Sequence, residues 1–358
     1  MKKLLLLLML MLPVLSASAL EFEYGYGIYE TNGVIDSEFG YPQVVCKRIT
    51  ARGKSQTTLT LNGVVEYNNT KYRCYSIYPL ICENNTTVET LRLGYGIVEI
   101  GHDAFRGCTN LSTVNIPSSV KTIYAYAFYG TKSSVVNMPR DPETTPLPTF
   151  YTDCFTSISY LNSGTEPASQ AAKANSFLKG VVTYYQSVPS QANDYTLKHG
   201  DDYYYFVVTK SPTKSESGSS ALIGTSGTTI ELTSYSDVTY RSTQSGMPNN
   251  VTCTKIPKKA FYQRGSITSI NIARDMEIGD SSFFYHTDLT SLKLSGSGGN
   301  GTQGVKIGTG AFAGCTAGYV SNWWFHRRLC IQWMHKPQRV FRHADTWRVC
   351  MVQSYHFR

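Results

Sequence analysis

The chain has 358 residues, 41% of them hydrophobic, with 33 Lys and Arg against 25 Asp and Glu. This composition excludes wholesale disorder and a membrane protein with many spans, and the length allows two or three domains with separate cores. The net charge of +8 comes from Lys2, Lys3 and the last forty residues, and residues 20–318 hold 24 basic and 24 acidic residues. A general electrostatic affinity for nucleic acid is therefore not expected.

The N-terminus has the pattern of an export signal. Met1-Lys2-Lys3 is followed by an apolar run, Leu4–Leu15, and then by the small residues Ala17-Ser18-Ala19. The alternative is an uncleaved membrane anchor, but the apolar run is too short to span a bilayer comfortably. We expect a signal peptide over residues 1–19 and a chain that is secreted or associated with the cell surface, with no membrane span in its mature part.

A repeat organises the middle of the chain. Val88–Cys108 and Leu111–Gly130 align without gaps, and their phenylalanines Phe105 and Phe128 are 23 residues apart. A degenerate unit follows, and the pattern then returns after about a hundred residues. The later units are marked by Phe155, Phe261, Phe283 and Phe312.

Each unit contains a short strand in which apolar residues alternate, a turn, a second short extended piece, and an Ala-Phe pair. One unit cannot bury its apolar side alone, whereas units stacked at about 4.8 Å per strand form a continuous core. The period therefore predicts a solenoid with parallel strands. It also places Phe128 in the core, beside Phe105.

These units resemble the BspA-type leucine-rich repeat, with its consensus L-x-S-I-x-I-P-x-x-V-x-x-I-G-x-x-A-F-x-x-C, over roughly residues 72–155 and 251–318. Residues 63–77 look like the family's N-terminal hairpin, and residues 159–179 look like its closing strand and short helix. The resemblance implies a mainly β fold with short helices and turns. We expect two short right-handed leucine-rich-repeat solenoids, each preceded by a β-rich segment, and an adhesin-like role at a bacterial surface.

Six segments follow from this interpretation. Two pairs of equivalent segments indicate that the arrangement occurs twice. Cys74-x-x-Ile77 and Cys253-x-x-Ile256 are 179 residues apart, and Thr58–Leu61 and Thr229–Leu232 each lie just ahead of a repeat block. The segments are a signal peptide (1–19), an N-terminal β-rich segment (20–72), a first repeat block with closing strand and helix (73–182), a linker with a second β-rich segment (183–250), a second repeat block (251–318), and an anomalous tail (319–358).

The tail differs from the rest of the chain. It holds all four Trp and four of the seven His residues, and it has no glycine. A basic, aromatic interaction tail is one interpretation, and a metal site from His326, Cys330, His335 and Cys350 is another. Neither has the expected periodicity or ligand spacing, so we favour a third, a tail translated in a shifted reading frame.

The repeat blocks show little catalytic chemistry. Cys108 and Cys315 occupy the same place in the repeat, which favours small buried residues over disulfides. His102 and His286 fall near bends and are expected to be solvated. The sequence has neither a Gly-x-Ser-x-Gly elbow nor a phosphate-binding glycine loop. We therefore predict no enzyme activity, no cofactor and no metal site.

Outward residues of the repeat strands form the predicted ligand-binding surface. They are mostly small and polar, which suits contact with host or neighbouring-cell surface and matrix proteins or with glycans. The alternatives are an inert hydrophilic face, a structural spacer in a cell-surface assembly, and a glycan-processing accessory protein acting through Asp201 or Asp202. The surface consists of Glu89, Thr90, Arg92, Thr113, Asn115, Asn137, Ser269, Asn271, Ser291 and Lys293.

Overall fold

The computed structural model describes residues 19–133, 135–139, 141, 144–145, 147–151, 153–155, 193–242, 246–262, 266–294, 304–315 and 320–321. The predicted signal peptide up to residue 18, the closing strand and helix at 159–179, and the predicted tail except Val320–Ser321 lie outside these residues. The described residues form a first module within 19–155 and a second module within 193–321.

The first module begins with three antiparallel strands and continues with short parallel strands. Its elements are β1 (Glu21–Tyr24), β2 (Gly27–Ile35), β3 (Pro42–Ile49), α1 (Ala51–Lys54), β4 (Thr58–Leu61), β5 (Val64–Tyr67), β6 (Thr70–Ile77), β7 (Thr90–Leu93), β8 (Glu99–Ile100), β9 (Thr113–Asn115), β10 (Thr122–Ile123), β11 (Val135–Asn137) and β12 (Thr149–Phe150).

The second module has nearly the same order. Its elements are β13 (Tyr195–His199), β14 (Asp202–Lys210), β15 (Gly218–Thr225), β16 (Thr229–Leu232), α2 (Tyr235–Val238), β17 (Thr239–Tyr240), β18 (Val251–Ile256), β19 (Ser269–Ile272), β20 (Glu277–Ile278), β21 (Ser291–Leu294), β22 (Lys306–Ile307) and β23 (Val320–Ser321).

Each module contains a larger and a smaller sheet. The first has an eight-stranded sheet in the order β1-β2-β3-β6-β8-β10-β12, with β5 beside β6, and a four-stranded sheet β11-β9-β7-β4. The second has a seven-stranded sheet β13-β14-β15-β18-β20-β22, with β17 beside β18, and a four-stranded sheet β16-β19-β21-β23. This stacking of short parallel strands confirms the predicted pair of mainly β solenoids.

The antiparallel strands at the start of each module belong to its larger sheet. Strand β3 pairs in parallel with β6, and β15 pairs in parallel with β18. The three antiparallel strands therefore form a meander that covers the first rung, meaning the first repeat unit, of the solenoid. Without the meander, the apolar edge of that rung would be exposed.

Cys74 and Cys253 show how closely the two modules correspond. Each lies just before a register shift in the larger sheet and donates from Sγ to the carbonyl oxygen two residues later, Ser76 at 3.6 Å and Lys255 at 3.4 Å. Burial raises the pKa of both thiols to about 12, so they stay protonated and remain donors. The spacing of 179 residues therefore marks equivalent sites.

Stacked phenylalanine rings fill the core behind the larger sheets. Phe128 lies between Phe105, at 5.4 Å between ring centroids, and Phe155, at 4.9 Å, with nearly parallel planes. In the second module Phe283 lies in the same way between Phe261 and Phe312. The Phe period of the sequence thus becomes one column of rings in each module.

The turns that carry these rings are also joined by hydrogen bonds. The Phe105 amide donates to the Ala127 carbonyl of the next unit at 2.8 Å, and the Phe283 amide donates to the Ala311 carbonyl at 2.8 Å. Because turn amides pair with turn carbonyls one rung away, the turns form a ladder of their own, which satisfies their buried backbone groups.

One position of each turn adopts a left-handed backbone. This residue lies two positions before the core phenylalanine of its unit. In the first unit, Cys82 stands in place of that phenylalanine. Only the last unit has glycine at the left-handed position, Gly310 at φ 64°. The other units have Leu80, Asp103, Tyr126, Asp153, Lys259 and Ser281, with φ between 48° and 58°. Since L-residues adopt this conformation at a cost, six turns carry backbone strain that stacking offsets.

His286 corrects an expectation about the turns. It is fully buried, and its Nε2 lies within hydrogen-bond distance of the Phe261 carbonyl. It occupies the repeat position of Cys108 and Cys315, whose Sγ atoms donate to the Cys82 and Phe283 carbonyls at 2.9 and 3.0 Å. The prediction of a solvated His286 is therefore wrong, because its side chain takes the place of the cysteine in a buried contact. His102 is exposed, as expected.

Replacing Phe128 by Ala is expected to lower the free energy of unfolding by about 3–5 kcal/mol, because the change leaves a cavity between two stacked rings. The measurement is chemical denaturation, with Tyr129→Ala as the matched control, since Tyr129 is the exposed neighbour. A loss below about 1 kcal/mol for Phe128→Ala would contradict the register of the core.

Exchanging residues between two equivalent turns tests the left-handed position. Ser281→Gly is expected to raise the free energy of unfolding by up to about 1 kcal/mol, because glycine adopts this backbone without strain. The reciprocal change Gly310→Ser is expected to lower it by a similar amount. Chemical denaturation of both variants provides the comparison, and shifts of the same sign would argue against a shared conformation.

Candidate functional site

The outward residues of the two four-stranded sheets form columns, because the parallel strands pair in register. Thr90 lies opposite Thr113, and Arg92 lies opposite Asn115. Each column has one side chain per rung, at about 4.8 Å spacing. The structure therefore brings the predicted residues of one module together on one face.

The second module has the same arrangement. Ser269 lies opposite Ser291, and Asn271 lies opposite Lys293. Ser291 and Lys293 are exposed, while Ser269 and Asn271 are half-buried. The face thus offers hydroxyl groups in one column and amide and ammonium groups in the next.

The first module differs from the prediction at its far end. Asn115 and Asn137 lie on the outer face, but they are only 5% and 1% exposed, and Asn137 Nδ2 donates to Asn115 Oδ1 at 2.7 Å. The alternation of side chains along a strand determines which side of the sheet each residue faces. The solvent accessibility of that residue depends, in addition, on what covers that side. Asn115 and Asn137 are therefore buried polar groups, which corrects their placement on an open surface.

The accessible part of the first face lies at its other end. Glu89 and Arg92 are exposed, and Thr90 and Thr113 are half-buried. Glu89 precedes β7, and its carbonyl accepts the Ser112 amide at 2.9 Å, which joins it to the next rung. The open surface of the first module therefore runs from the start of the sheet to β9.

Both faces begin one rung earlier than predicted. Thr58 and Thr60 on β4 lie opposite Thr90 and Arg92. The sequence signal for this first rung was the alternation of Thr and Leu in Thr58-Leu-Thr-Leu61. In the structure both threonines are exposed and both leucines are buried. These two threonines belong to the same surface.

The second face also begins a rung early. Thr229 and Glu231 on β16 lie opposite Ser269 and Asn271, and the Asn271 Nδ2 donates to Glu231 Oε1 at 3.3 Å. One hydroxyl column thus consists of Thr58, Thr90 and Thr113, and the other consists of Thr229, Ser269 and Ser291. The adjacent column of the second face carries opposite charges at Glu231 and Lys293.

The rungs match a known repeat type. Six copies of the BspA type leucine rich repeat region match residues 76–189 and 219–321, which is more than half of the chain. The chain belongs to the BspA-type leucine-rich-repeat family. The second matched region ends at Ser321, where β23 pairs in parallel with β21. Val320 and Ser321, which belong to the predicted tail, thus form part of a repeat rung.

Solved leucine-rich-repeat proteins resemble this BspA-type chain at low sequence identity. One from T. pallidum is 14% identical, covers 83% of this chain and 89% of its own, and gives a TM-score of 0.29. One from Bacteroides ovatus is 16% identical, with 83% and 91% coverage and a TM-score of 0.26. One from Bacteroides capillosus is 18% identical, with 37% and 96% coverage and a TM-score of 0.27. No curated protein matches the sequence.

Polar contacts join the two modules of this BspA-type chain. The Ser118 amide donates to Asp194 Oδ1 at 2.8 Å, and the hydroxyls of Tyr95 and Ser211 lie 2.8 Å apart. Lys255 forms an ion pair with Asp141, with Lys255 on the second module and Asp141 on the first. These contacts connect the turns of the first solenoid to the second module.

A buried ion pair lies beside these contacts. Arg73 is 2% exposed, and it donates from Nη1 to Asp36 Oδ1 at 2.8 Å and from Nε to the Gly96 carbonyl at 2.9 Å. Burial alone would raise the pKa of Asp36, but the Phe39 amide and the charge of Arg73 outweigh it and lower that pKa. The donors of Arg73 are engaged within the fold, which favours a structural role.

Within the part of the chain that the structure describes, no three His, Cys, Asp or Glu side chains are placed to hold a metal ion. A search of the same residues found no helix long and apolar enough to cross a membrane.

Proposed function

We propose that this BspA-type chain is a secreted or cell-surface binding protein that uses the outer faces of its two four-stranded sheets to contact proteins or glycans, without catalysis. The observation that carries the proposal is the pair of hydroxyl columns, which occupy the same place in both modules and stand one residue per rung. A rigid, evenly spaced polar array suits a partner with repeated hydrogen-bonding groups.

Charged side chains on the two faces support a selective contact. Arg92 is exposed on β7, Lys293 is exposed on β21, and Glu89 is exposed just before β7. Isolated charges on a neutral surface contribute mainly to orientation and to the choice of partner. The export signal would place this surface outside the cell.

The test uses the full mature chain on an array of matrix proteins and glycans. We expect binding to at least one ligand, and a loss of about tenfold in affinity for the double variant Arg92→Glu, Lys293→Glu, which corresponds to about 1.4 kcal/mol. Arg106→Glu is the matched control, because Arg106 is an exposed arginine on a turn rather than on either face.

Two outcomes would count against the proposal. One is the absence of any ligand that binds above background. The other is equal binding by the double variant and the control, which would place the contact on another surface.

A further inference from the structure

Tyr285 stands at a turn position where the other described units have glycine or asparagine. The position is the second residue after the core phenylalanine, or after Cys82 in the first unit, and its backbone is left-handed wherever the structure describes it. The Tyr285 amide belongs to the turn ladder and donates to the Ala313 carbonyl at 2.8 Å. The residues at this position are Asn84, Gly107, Gly130, Tyr285 and Gly314, with φ between 57° and 78°.

A tyrosine is costly at this position. Glycine adopts a left-handed backbone freely and asparagine tolerates it, whereas a bulky side chain there is an outlier. Tyr285 is 56% exposed, so burial of its ring recovers little of the cost. The four equivalent turns form without an aromatic ring, so the fold does not require one. Backbone strain that is kept without a return in stability indicates that the side chain has a function.

The next rung leaves room for the Tyr285 ring. A Cβ atom on Gly314 would lie 3.2 Å from both Cγ and Cδ2 of Tyr285, which is closer than most real contacts of a Cβ atom. Gly314 therefore suits the contact twice, because it has no side chain and because its φ is 78°. The ring is supported by the backbone of the next unit, although more than half of the residue stays open to solvent.

Two further rings support Tyr285 from its own side of the turn. Phe284 meets Tyr285 at 4.7 Å between ring centroids, with an angle of 64° between the ring planes. Phe284 also stacks on Tyr262 of the preceding unit, at 5.0 Å between ring centroids and 4° between the planes. Tyr262 and Phe284 are half-buried. The three rings, named here the aromatic platform, thus combine a packed pair with one exposed ring.

We propose that the aromatic platform binds a neutral pyranose unit of a glycan, which stacks its C–H face on the Tyr285 ring. A pyranose carries apolar C–H groups on one face and hydroxyl groups around its edge. The C–H face matches a flat aromatic ring, and the hydroxyl groups need polar partners beside that ring. Thr287 and Asp288 are exposed within three residues of Tyr285 and can supply such partners.

Other ligands fit the aromatic platform less well. An organic cation would compete with Lys259, whose Nζ lies 5.3 Å from the centroid of the Tyr262 ring. A charged sugar gains little, because the exposed residues around the rings include both Lys259 and Asp288. A stable protein partner needs about 1,000 Å² of buried surface, which is more than three rings provide. One neutral sugar unit matches both the size and the charge of the platform.

The test is a calorimetric titration of the full chain with β-linked hexasaccharides of glucose, of N-acetylglucosamine and of galactose. We expect saturable binding of at least one of them, about tenfold weaker in Tyr285→Gly and unchanged in Tyr285→Phe, since stacking needs the ring and not the hydroxyl. Tyr126→Gly is the matched control, because Tyr126 is also an exposed tyrosine with a left-handed backbone, at φ 57°. It is expected to bind like the parent chain.

The thermal unfolding midpoint separates a lost contact from a lost fold. Tyr285→Gly relieves the backbone, so its midpoint is expected to be at least that of the parent chain although its sugar binding is weaker. The proposal would be overturned by no binding of any of the three sugars, by equal binding in Tyr285→Gly, by loss of binding in Tyr285→Phe, or by a peptide array that binds through Tyr285 when no sugar does. The aromatic platform lies on the turns, so these results are separate from those of Arg92→Glu, Lys293→Glu.

Discussion

The backbone hydrogen bonds that join equivalent positions of successive repeats are the constraint on which this structure depends. They run through the strands of both sheets and also through the turns, where the Phe128 amide donates to the Cys154 carbonyl at 2.7 Å. In-register pairing forces like residues into columns. A column of phenylalanines then becomes a continuous stack, and a left-handed residue recurs in every turn because each turn must match its neighbour.

The same constraint separates residues that maintain the fold from residues that are free to differ. Inward positions are nearly uniform in both modules, since each must fill the same space between rungs. Outward positions vary without disturbing the stack. The two modules share their hydroxyl columns, but Pro257 and Gly308 of the second module stand where the first has Tyr78 and Tyr124.

Much of this fold could be predicted from the sequence because the repeat signal is physical. The Ala-Phe period predicted the buried ring column, and the alternation of short apolar strands predicted the parallel sheets. Thr58–Leu61 and Thr229–Leu232 were recognised as a recurring pair, but not as first rungs, since they lack the turn that marks a complete unit. The meanders were predicted as separate β-rich segments, because strand pairing between distant segments leaves no local pattern.

The surface was less predictable. His286 was expected to be solvated because it falls near a bend, yet it takes the repeat position of a cysteine that donates to a backbone carbonyl. Asn115 and Asn137 were assigned correctly to the outer side of the strand, but their burial depends on what covers that side. The role of the ten predicted face residues remains a prediction, since a ladder of polar groups indicates where a ligand could bind and not which ligand binds.

Hydrogen exchange of the turn amides tests the central claim most directly. In-register stacking predicts that the amides of Phe105, Phe128 and Phe283 exchange as slowly as those of the central strands, although they lie in turns, because each donates to the next rung. Val34 is the reference for fast exchange, because it is exposed and its amide donates at 3.1 Å to the Asn32 side chain two residues away rather than to another rung. Exchange of the three Phe amides at the rate of Val34 would contradict a solenoid in which every turn is hydrogen-bonded to its neighbour.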